Sequence, residues 1–458
     1  MRIRLRAISL LALAAWLGLA TGGSATLSPA ASAAPPASRP DDPIARMADE
    51  VANDVVQLRG WPFRRPVRKE RVSLAHAHQD LLRIMMTSDK PDHRARVQAF
   101  LRVAGLIPPD CDLLQASISV LDQQVAGYYE PDTRTLRIVD RATPLPAFVE
   151  RMILSHELTH ALDDQYVDLG AMMKAGSGSE DADFVVTAVG EGSATSLMLQ
   201  EMAADQRSGR FSFADLGQYV AAELERARQL EQLPRYFSAM FGSYVVGASF
   251  LARGDLASLL SQPDNRAIGE ALLAARNAMP KSSEQLLHPE KYWDPARRDD
   301  PVAIDDKAMN LWLSRPGRRI VHRDTLGELF TAILTAPRDS RTALMQMQSA
   351  SSWTNAGAAG WGGDRFYVMT DRTGPQALQT TEGLQGVWLT TWDTPGDRDT
   401  FLAALESGSP PPNSVAVAVG AQSAVVFIAI AETERTTLLR RFPMMSPSMT
   451  RAGRAWMP

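Results

Sequence analysis

The spacing of apolar residues divides most of the chain into helical stretches separated by one hairpin. Apolar positions recur at three- and four-residue intervals in "IARMADEVANDVVQL" and "LAHAHQDLLRIMM", which predicts helices between about 44 and 106. In 124–140, two tyrosines and a Glu-Pro-Asp-Thr turn precede a short alternating run, a pattern typical of a β-hairpin. Helices are predicted again from about 147 to 275, interrupted by a Gly/Ser/Asp-rich loop at 170–183.

Strand patterns replace helix patterns beyond about residue 300. After a helix near 324–336 come "RFYVMT", "GVWLTTWD", a helical segment, "SVAVAVG", "SAVVFIAIA" and a last helix near 432–442. The order β-β-α-β-β-α predicts a small antiparallel sheet with helices on one face. Because Gly-Ala-Gln-Ser interrupts the apolar run at 414–431, we expect two paired strands there and no membrane-spanning helix.

Together these patterns predict an α+β protein with two domains. We assign residues 44–305 to a mainly helical domain that carries a small sheet. Residues 306–445 are assigned to a smaller α+β domain with an antiparallel sheet, and the boundary falls between about 300 and 320. Residues 446–458 are expected to form a flexible tail.

The N-terminus has the features of an export signal. Three arginines within the first six residues precede the apolar run "ISLLALAAWLGLA", and "ASA" at 31–33 offers small residues to a signal peptidase. As a helix this run would be about 20 Å long, shorter than the roughly 30 Å of a bilayer core. We therefore expect a cleaved signal peptide at 1–33, a linker at 34–43, and a periplasmic or secreted mature protein without a stable membrane span. An uncleaved anchor is the alternative.

Composition excludes two classes of protein. The net charge is -4, whereas proteins that bind the phosphate backbone of nucleic acids are normally strongly basic, so no nucleic-acid partner is expected. Cys111 is the only cysteine, which excludes an intramolecular disulfide and hence a small disulfide-rich scaffold. An exported protein of this kind must depend on a large apolar core.

The strongest chemical signal is "ILSHELTHALDDQ" at 153–165. On a helix, His156 and His160 lie on one face and can aim two imidazoles at a single zinc ion. Glu157 follows the first histidine directly, where it could hold a metal-activated water and take its proton. Chance would produce this arrangement in on the order of one chain in a hundred. Two packed histidines without a metal are the alternative.

A catalytic zinc site needs a third protein ligand. Glu191 in "VVTAVGEGSAT" is the best candidate, because a lone carboxylate in an apolar helical stretch is costly without a partner. Gly190 and Gly192 flank it and would let another helix approach closely. An exposed helix glutamate is the alternative.

These motifs resemble a known group of metallopeptidases. His-Glu-x-x-His with a downstream helical glutamate is similar to the zincin pattern, in its gluzincin branch. The segments "GYYEPDTRTLRIV", "HELTHALDDQ", "VGEGSAT", "SSEQLLHPEKYWD" and "GWGGDRFYV" resemble exported bacterial zincin-like proteins over about 120–405. The resemblance implies a zincin-like first domain, one Zn²⁺ held by His156, His160 and Glu191, Glu157 as general base, and a peptide or protein substrate.

The resemblance also raises questions about the surroundings of the metal. In gluzincins a carboxylate that orients a ligand often lies four residues after the ligand glutamate, a position that Thr195 occupies here. Asp164, one turn after His160, could take that role or could only cap the helix. Zincins also pair an edge strand above the metal with an extended peptide. The strand at 134–139 is the candidate, with an ordinary surface hairpin as the alternative.

The transition state needs a donor to the developing oxyanion, usually a tyrosine or histidine near the zinc. His288 is the residue we place in the catalytic set, and Tyr292 and Tyr244 are further candidates. Each of the three could equally serve packing alone. Other polar residues are expected to be solvated, namely Glu180, Asp181 and Asp183 in the predicted loop, and His93 and His322 among charged neighbours.

The sequence thus predicts an exported zinc-dependent hydrolase, preferably a peptidase, whose C-terminal domain shapes the cleft or binds a protein partner. Three alternatives remain. The protein could be a catalytically inactive zinc-binding envelope protein that acts as a binding or assembly module, a metal-free helical scaffold, or a zinc hydrolase of a non-peptide amide such as a cell-wall component. Glu157 favours catalysis, because a structural zinc site has no need of a base.

Overall fold

The computed structural model describes residues 43–450 except 89, 125, 142, 177, 213, 220–233, 262–263, 305–309, 311–312, 314–316, 338–349 and 446–448. The predicted signal peptide at 1–33 and the linker up to residue 42 lie outside the described residues.

A three-stranded sheet and four helices form the first part of the chain. The elements are α1 (Pro43–Arg59), β1 (Arg68–Ser73), α2 (Leu74–Ser88), α3 (Pro91–Val103), α4 (Leu113–Gln124), β2 (Gly127–Glu130) and β3 (Thr135–Asp140). β3 pairs antiparallel with β2 and parallel with β1, so the strand order is β1-β3-β2. The predicted hairpin is confirmed. β1 interrupts the helices predicted for 44–106, because "RKERVS" has four charged residues and lacks a strand pattern.

Further helices follow the hairpin before the C-terminal sheet begins. They are α5 (Ala147–Val167), α6 (Leu169–Ala175), α7 (Glu180–Arg207), α8 (Ser238–Leu251), α9 (Leu256–Ser261), α10 (Arg266–Asn277), α11 (Ser283–Leu287) and α12 (Glu290–Trp293). The predicted loop at 170–183 is wrong in part, since it contains α6 and the first turn of α7. Ser179 starts α7 as an N-cap, accepting a hydrogen bond from the Ala182 N–H.

Several polar residues expected to be solvated are buried instead. Asp181 accepts a hydrogen bond from the backbone N–H of Ser283 at 3.1 Å, and burial raises the pKa of Asp181 to about 7. Asp324 accepts from the backbone N–H of Glu180 and pairs with His322 Nε2, both at 2.7 Å. The prediction of solvated side chains is therefore wrong for Glu180, Asp181 and His322, because local polarity does not show which surface a later strand will cover.

Helix α7 lies between α5 and α8 and is buried along most of its length. Valines and leucines occur on all its sides, which is typical of a fully buried helix. Its closest approach is to α8, where a Cβ on Gly192 would lie 2.1 Å from the carbonyl carbon of Gly247. The expectation that a helix packs against the glycines beside Glu191 is confirmed for Gly192. Gly190 has only an ordinary contact with Met172, at 3.8 Å.

Helices α5 and α7 run antiparallel and are joined by buried polar contacts at two levels. Near the start of α5, Arg151 Nε donates to Asp205 Oδ2 at 2.9 Å and Arg151 Nη2 donates to Glu201 Oε1 at 3.1 Å. Near the end of α5, Asp163 accepts a 2.6 Å hydrogen bond from the hydroxyl of Ser193. These contacts fix the alignment of α5 and α7 along their helix axes.

The C-terminal part of the chain forms a five-stranded sheet and its helices. The elements are β4 (Ala303–Ile304), β5 (Arg319–Asp324), α13 (Gly327–Thr335), β6 (Trp361–Thr370), β7 (Leu384–Trp392), α14 (Pro395–Ser407), β8 (Ser414–Val419), β9 (Ser423–Ile428), α15 (Glu432–Met445) and β10 (Met449–Thr450). The large sheet has the order β5-β6-β7-β9-β8 and is antiparallel throughout. The α+β class, the β-β-α-β-β-α order and the two paired strands within 414–431 are confirmed.

Helices cover both faces of this sheet, so the prediction of helices on one face is wrong. Phe366 and Val368 pack into the large core that contains Phe401 of α14. The alternate residues Tyr367 and Met369 pack into a separate cluster with Leu438 of α15. Nearly continuous apolar runs such as "SAVVFIAIA" are typical of strands buried on both faces.

The largest apolar cluster extends across the predicted domain boundary. It joins Phe100 and Tyr236 from the helical part to Phe330, Phe366 and Trp388 from the C-terminal part. The domain boundary near residue 305 stays a prediction, because this cluster is continuous across it. The flexible tail also stays a prediction, and within it β10 pairs with β4. Among the described residues, no helix combines the length and the apolar character needed to cross a membrane.

We expect the two glycines beside Glu191 to respond oppositely to alanine. Gly192→Ala should lower the free energy of unfolding by about 2 kcal/mol or more, because the new methyl group meets the backbone of α8. Gly190→Ala should be neutral or stabilise the helix by up to about 1 kcal/mol. Thermal denaturation of both variants measures this difference. Equal melting temperatures would contradict the close packing of α7 against α8.

Candidate metal centre

The two histidines of the His-Glu-x-x-His motif lie side by side on α5. The apolar residues around them bury this part of the helix, and His156 is 1% exposed. The rings of His156 and His160 have centroids 4.7 Å apart with an angle of 85° between their planes. Their Nε2 atoms are 3.1 Å apart. The four-residue spacing thus brings the two ring nitrogens to one point, as predicted from helix geometry.

Glu191 reaches the same point from α7. Its Oε2 atom lies 3.0 Å from His156 Nε2 and 3.4 Å from His160 Nε2. In a tetrahedral zinc site with bonds of 2.0–2.1 Å, neighbouring ligand atoms lie roughly 3.3 Å apart. The circle through the three observed atoms has a radius of about 1.8 Å, so one point can lie about 2.0 Å from all three. Two imidazoles and a carboxylate in this arrangement fit a zinc ion.

The charges of the three groups are strongly interdependent. Burial lowers the pKa of His160, but the nearby carboxylates of Glu191, Glu157 and Asp163 outweigh burial and raise that pKa to about 9. Burial would raise the pKa of Glu191, yet His160 and His156 hold it well below its usual range. Without a metal, a proton on His160 therefore balances the charge of Glu191.

Glu157 is 1% exposed and is held by the small sheet. Its Oε2 accepts a hydrogen bond from the backbone N–H of Tyr129 at 2.7 Å. The phenol of Tyr129 donates to Asp164 Oδ2 at 2.9 Å, two turns further along α5. Tyr129 thus attaches β2 to the helix at two places and orients the Glu157 carboxylate.

The outer strands of the small sheet are β1 and β2, which corrects the prediction of 134–139 as the edge strand. β3 has neighbours on both sides, β1 and β2. The N–H of Val139 donates to Ala126 O at 3.1 Å, so in the alternating antiparallel pattern Gly127 and Tyr129 turn their backbone groups away from β3. The sequence could not give this order, because it depends on the unpredicted strand β1.

Asp164 lies near the end of α5 and binds both the start of α6 and the small sheet, which is more than the helix cap stated as the second alternative for it. Its Oδ1 accepts from the backbone N–H of Leu169 at 2.9 Å, and its Oδ2 accepts from Tyr129. At the position of the gluzincin carboxylate, Thr195 Oγ1 is buried and has no hydrogen-bond partner among the described residues. His156 Nδ1 has none there either. Asp164 is therefore bonded to a backbone amide and a phenol, and not to a histidine.

Of the three oxyanion-donor candidates, Tyr244 is the one beside a ligand, with its ring centroid 5.8 Å from that of His156. The phenol of Tyr292 instead donates to the backbone oxygen of Ala278. His288 pairs with Glu328 Oε1 at 2.9 Å. This pairing with Glu328 gives no support to a catalytic role for His288, which stays a prediction.

A second group of acids, Glu284, Asp299 and Asp393, also clusters within the described part of the chain. Lys291 Nζ lies among them, 2.6 Å from Glu284, 3.3 Å from Asp299 and 3.2 Å from Asp393. The ammonium group already neutralises part of this charge. We interpret the group as a set of ion pairs that joins the helical part to the end of β7.

The sequence did not predict a cavity of about 370 Å³ that reaches Glu157. It lies between the small sheet and α5, and its apolar lining includes Gly127, Ile138, Leu145 and Ile153. The sequence signal for it was weak, because these residues lie in different elements and belong to no single motif.

Comparison with known proteins gives one match. A family model described as "Domain of unknown function (DUF8575)" matches residues 315–431. The match covers the five-stranded sheet and ends before α15. Helices α5 and α7, which carry the candidate metal centre, lie outside the matched residues. No curated protein and no solved structure matches the chain. The comparisons therefore assign no activity to the site.

We expect the purified protein to bind one zinc ion per chain with an affinity that falls as the pH falls. Below its pKa of about 9, His160 carries a proton that zinc must displace, so the affinity should decrease by up to about tenfold per pH unit. Chelator competition between pH 6 and 9 measures this slope. His76→Ala, at a histidine outside the site, should leave affinity unchanged, and a pH-independent affinity would contradict the prediction.

Proposed function

We propose that the protein is an exported zinc-dependent peptidase. The observation that carries the proposal is the convergence of His156, His160 and Glu191 on one point, with Glu157 on the next position of the same helix. A zinc ion held there would act as a Lewis acid, polarising a substrate carbonyl and lowering the pKa of a water molecule to about 7.

Glu157 is the general base of the proposed reaction. Its burial and its bond from the Tyr129 N–H hold the carboxylate in one orientation beside the three ligands. Glu157 accepts the proton of the attacking water and returns it to the leaving amine. A structural metal site has no use for such a group, so Glu157 favours catalysis over the alternative of an inactive zinc-binding assembly module.

Of the two outer strands, β2 is the proposed substrate-binding strand, because it is the one that contacts Glu157. Gly127 and Tyr129 turn backbone groups toward this edge, and the Tyr129 N–H is bonded to Glu157. An extended peptide that adds to β2 as a further strand would therefore pass beside the base. Because the Tyr129 N–H is already bonded to Glu157, the main-chain hydrogen bonds to a peptide would come from the other outward backbone groups of β2, and they would require no particular sequence.

The adjoining cavity supplies the proposed side-chain preference. Its lining is largely aliphatic, and its lining charges are partly paired, since Arg71 Nε donates to Asp140 Oδ1 at 2.8 Å. A large apolar side chain next to the scissile bond fits this lining better than a charged one. The substrate class is accordingly an unfolded or extended peptide outside the cytoplasm, and the C-terminal sheet remains the proposed contact for a protein partner.

We expect Glu157→Gln to abolish peptide hydrolysis and to retain one zinc per chain. The amide preserves shape but cannot accept the proton, so kcat should fall by at least about 100-fold. Digestion of an unfolded protein, with zinc content measured in parallel, checks this. Glu270→Gln, at an exposed glutamate of α10, is the control. Undiminished cleavage by Glu157→Gln would exclude Glu157 as the base, and no cleavage by the wild type would favour the assembly module.

We expect Ile138→Trp to narrow the cavity and to change peptide preference. Cleavage of peptides with leucine or phenylalanine at the scissile bond should fall by about tenfold or more in kcat/KM, with a smaller effect for alanine. A peptide library digested by wild type and variant measures the change. Val415→Trp, at an exposed valine of β8, is the control. An unchanged preference would show that the cavity does not hold a substrate side chain.

A further inference from the structure

Three side chains from three different helices meet in a closed hydrogen-bonded group next to the metal ligands. Arg59 Nη2, at the end of α1, donates to Ser193 Oγ at 2.8 Å and to Asp163 Oδ2 at 3.1 Å. Ser193 Oγ in turn donates to Asp163 Oδ2 at 2.6 Å. All three are at most 1% exposed, so solvent does not share these bonds.

The group joins the two ligand-bearing helices close to the ligands themselves. Asp163 follows His160 by three residues, about one helical turn, on α5. Ser193 follows Glu191 by two residues on α7. The hydrogen bond between Asp163 and Ser193 therefore constrains how far His160 and Glu191 can move apart.

The group is poorly suited to a purely stabilising role. The Nε and Nη1 atoms of Arg59 are buried and have no hydrogen-bond partner among the described residues. Burial lowers the pKa of Arg59 and raises that of Asp163, which shows that the environment disfavours both charges. A buried ion pair of this kind contributes little net stability compared with apolar residues of similar volume.

The second polar contact between α5 and α7 provides a comparison within the same molecule. Arg151 uses Nε and Nη2 to bind Asp205, Glu201 and Asp54 at 2.7–3.1 Å, and is better satisfied than Arg59. Arg151 lies five residues before His156, and Asp205 lies fourteen residues after Glu191. This contact joins the same helices but at a distance from the ligands.

We propose that Arg59, Asp163 and Ser193 form a positioning unit that sets the spacing of His160 and Glu191 and thereby the affinity for the metal. The inference rests on the proposed zinc site and goes beyond it by assigning a role to three residues outside the ligand set. Partners of metal ligands typically change metal affinity by 10- to 100-fold when they are altered. Arg59, Asp163 and Ser193 would act indirectly, by fixing the position of α5 relative to α7.

The test compares Asp163→Asn and Ser193→Ala with the matched control Asp205→Asn. Zinc dissociation constants are measured by chelator competition, and melting temperatures are measured on the metal-free proteins. We expect Asp163→Asn and Ser193→Ala to weaken zinc binding by 10- to 100-fold. Asp205→Asn should lower the melting temperature and change zinc affinity by less than about threefold. The double variant Asp163→Asn/Ser193→Ala should bind zinc about as well as the weaker single variant, because the residues act together.

Substitution of Co²⁺ for zinc supplies a spectroscopic readout that a stability effect alone would not change. The visible absorption of the cobalt form should shift in Asp163→Asn and stay unchanged in Asp205→Asn. Wild-type zinc affinity in both Asp163→Asn and Ser193→Ala would overturn the positioning unit and leave the zinc site intact. A zinc loss that follows melting temperature equally in all three variants would also overturn it. A wild type that binds no zinc would overturn the proposed function as well.

Discussion

The site depends on the fixed spacing of two antiparallel helices. Helix α5 supplies two imidazoles one turn apart, and α7 supplies the carboxylate that faces them, with 3.0–3.4 Å between the three ligand atoms. Zinc bonds of about 2.0–2.2 Å to these atoms would tolerate only a small change in the position of α7 relative to α5. The close backbone contact at Gly192 holds α7 from one side, and the buried polar contacts of Asp163 and Arg151 hold it from the other.

The C-terminal sheet contributes to the same constraint from the far end of α7. Asp324 at the end of β5 accepts a hydrogen bond from the Glu180 N–H, and α11 donates to Asp181 in the same helical turn. The large apolar cluster is continuous between the helical part and the sheet. The sheet therefore supports α7, the helix that carries Glu191.

The sequence predicted the clustering of His156, His160 and Glu191 better than it predicted their surroundings. His156 and His160 could be placed because a four-residue spacing has one meaning on a helix, and Glu191 because a carboxylate in an apolar helix needs a partner. The edge strand was misplaced because β1 has a charged sequence and pairs across a long sequence separation. Glu180 is covered by a strand 144 residues away and Asp181 by a helix 102 residues away, which local composition cannot indicate. The positioning of Arg59 against Asp163 is equally non-local.

Tyr129 links the small sheet to helix α5, which carries the two histidines of the candidate metal centre. Its backbone N–H donates a hydrogen bond to Glu157 and its phenol donates one to Asp164, so one residue binds α5 at two levels. A peptide that adds to β2, as proposed, would lie next to this residue. In the proposed peptidase, peptide affinity and kcat would therefore change together when the hairpin is altered, because one residue contacts both the substrate strand and the base.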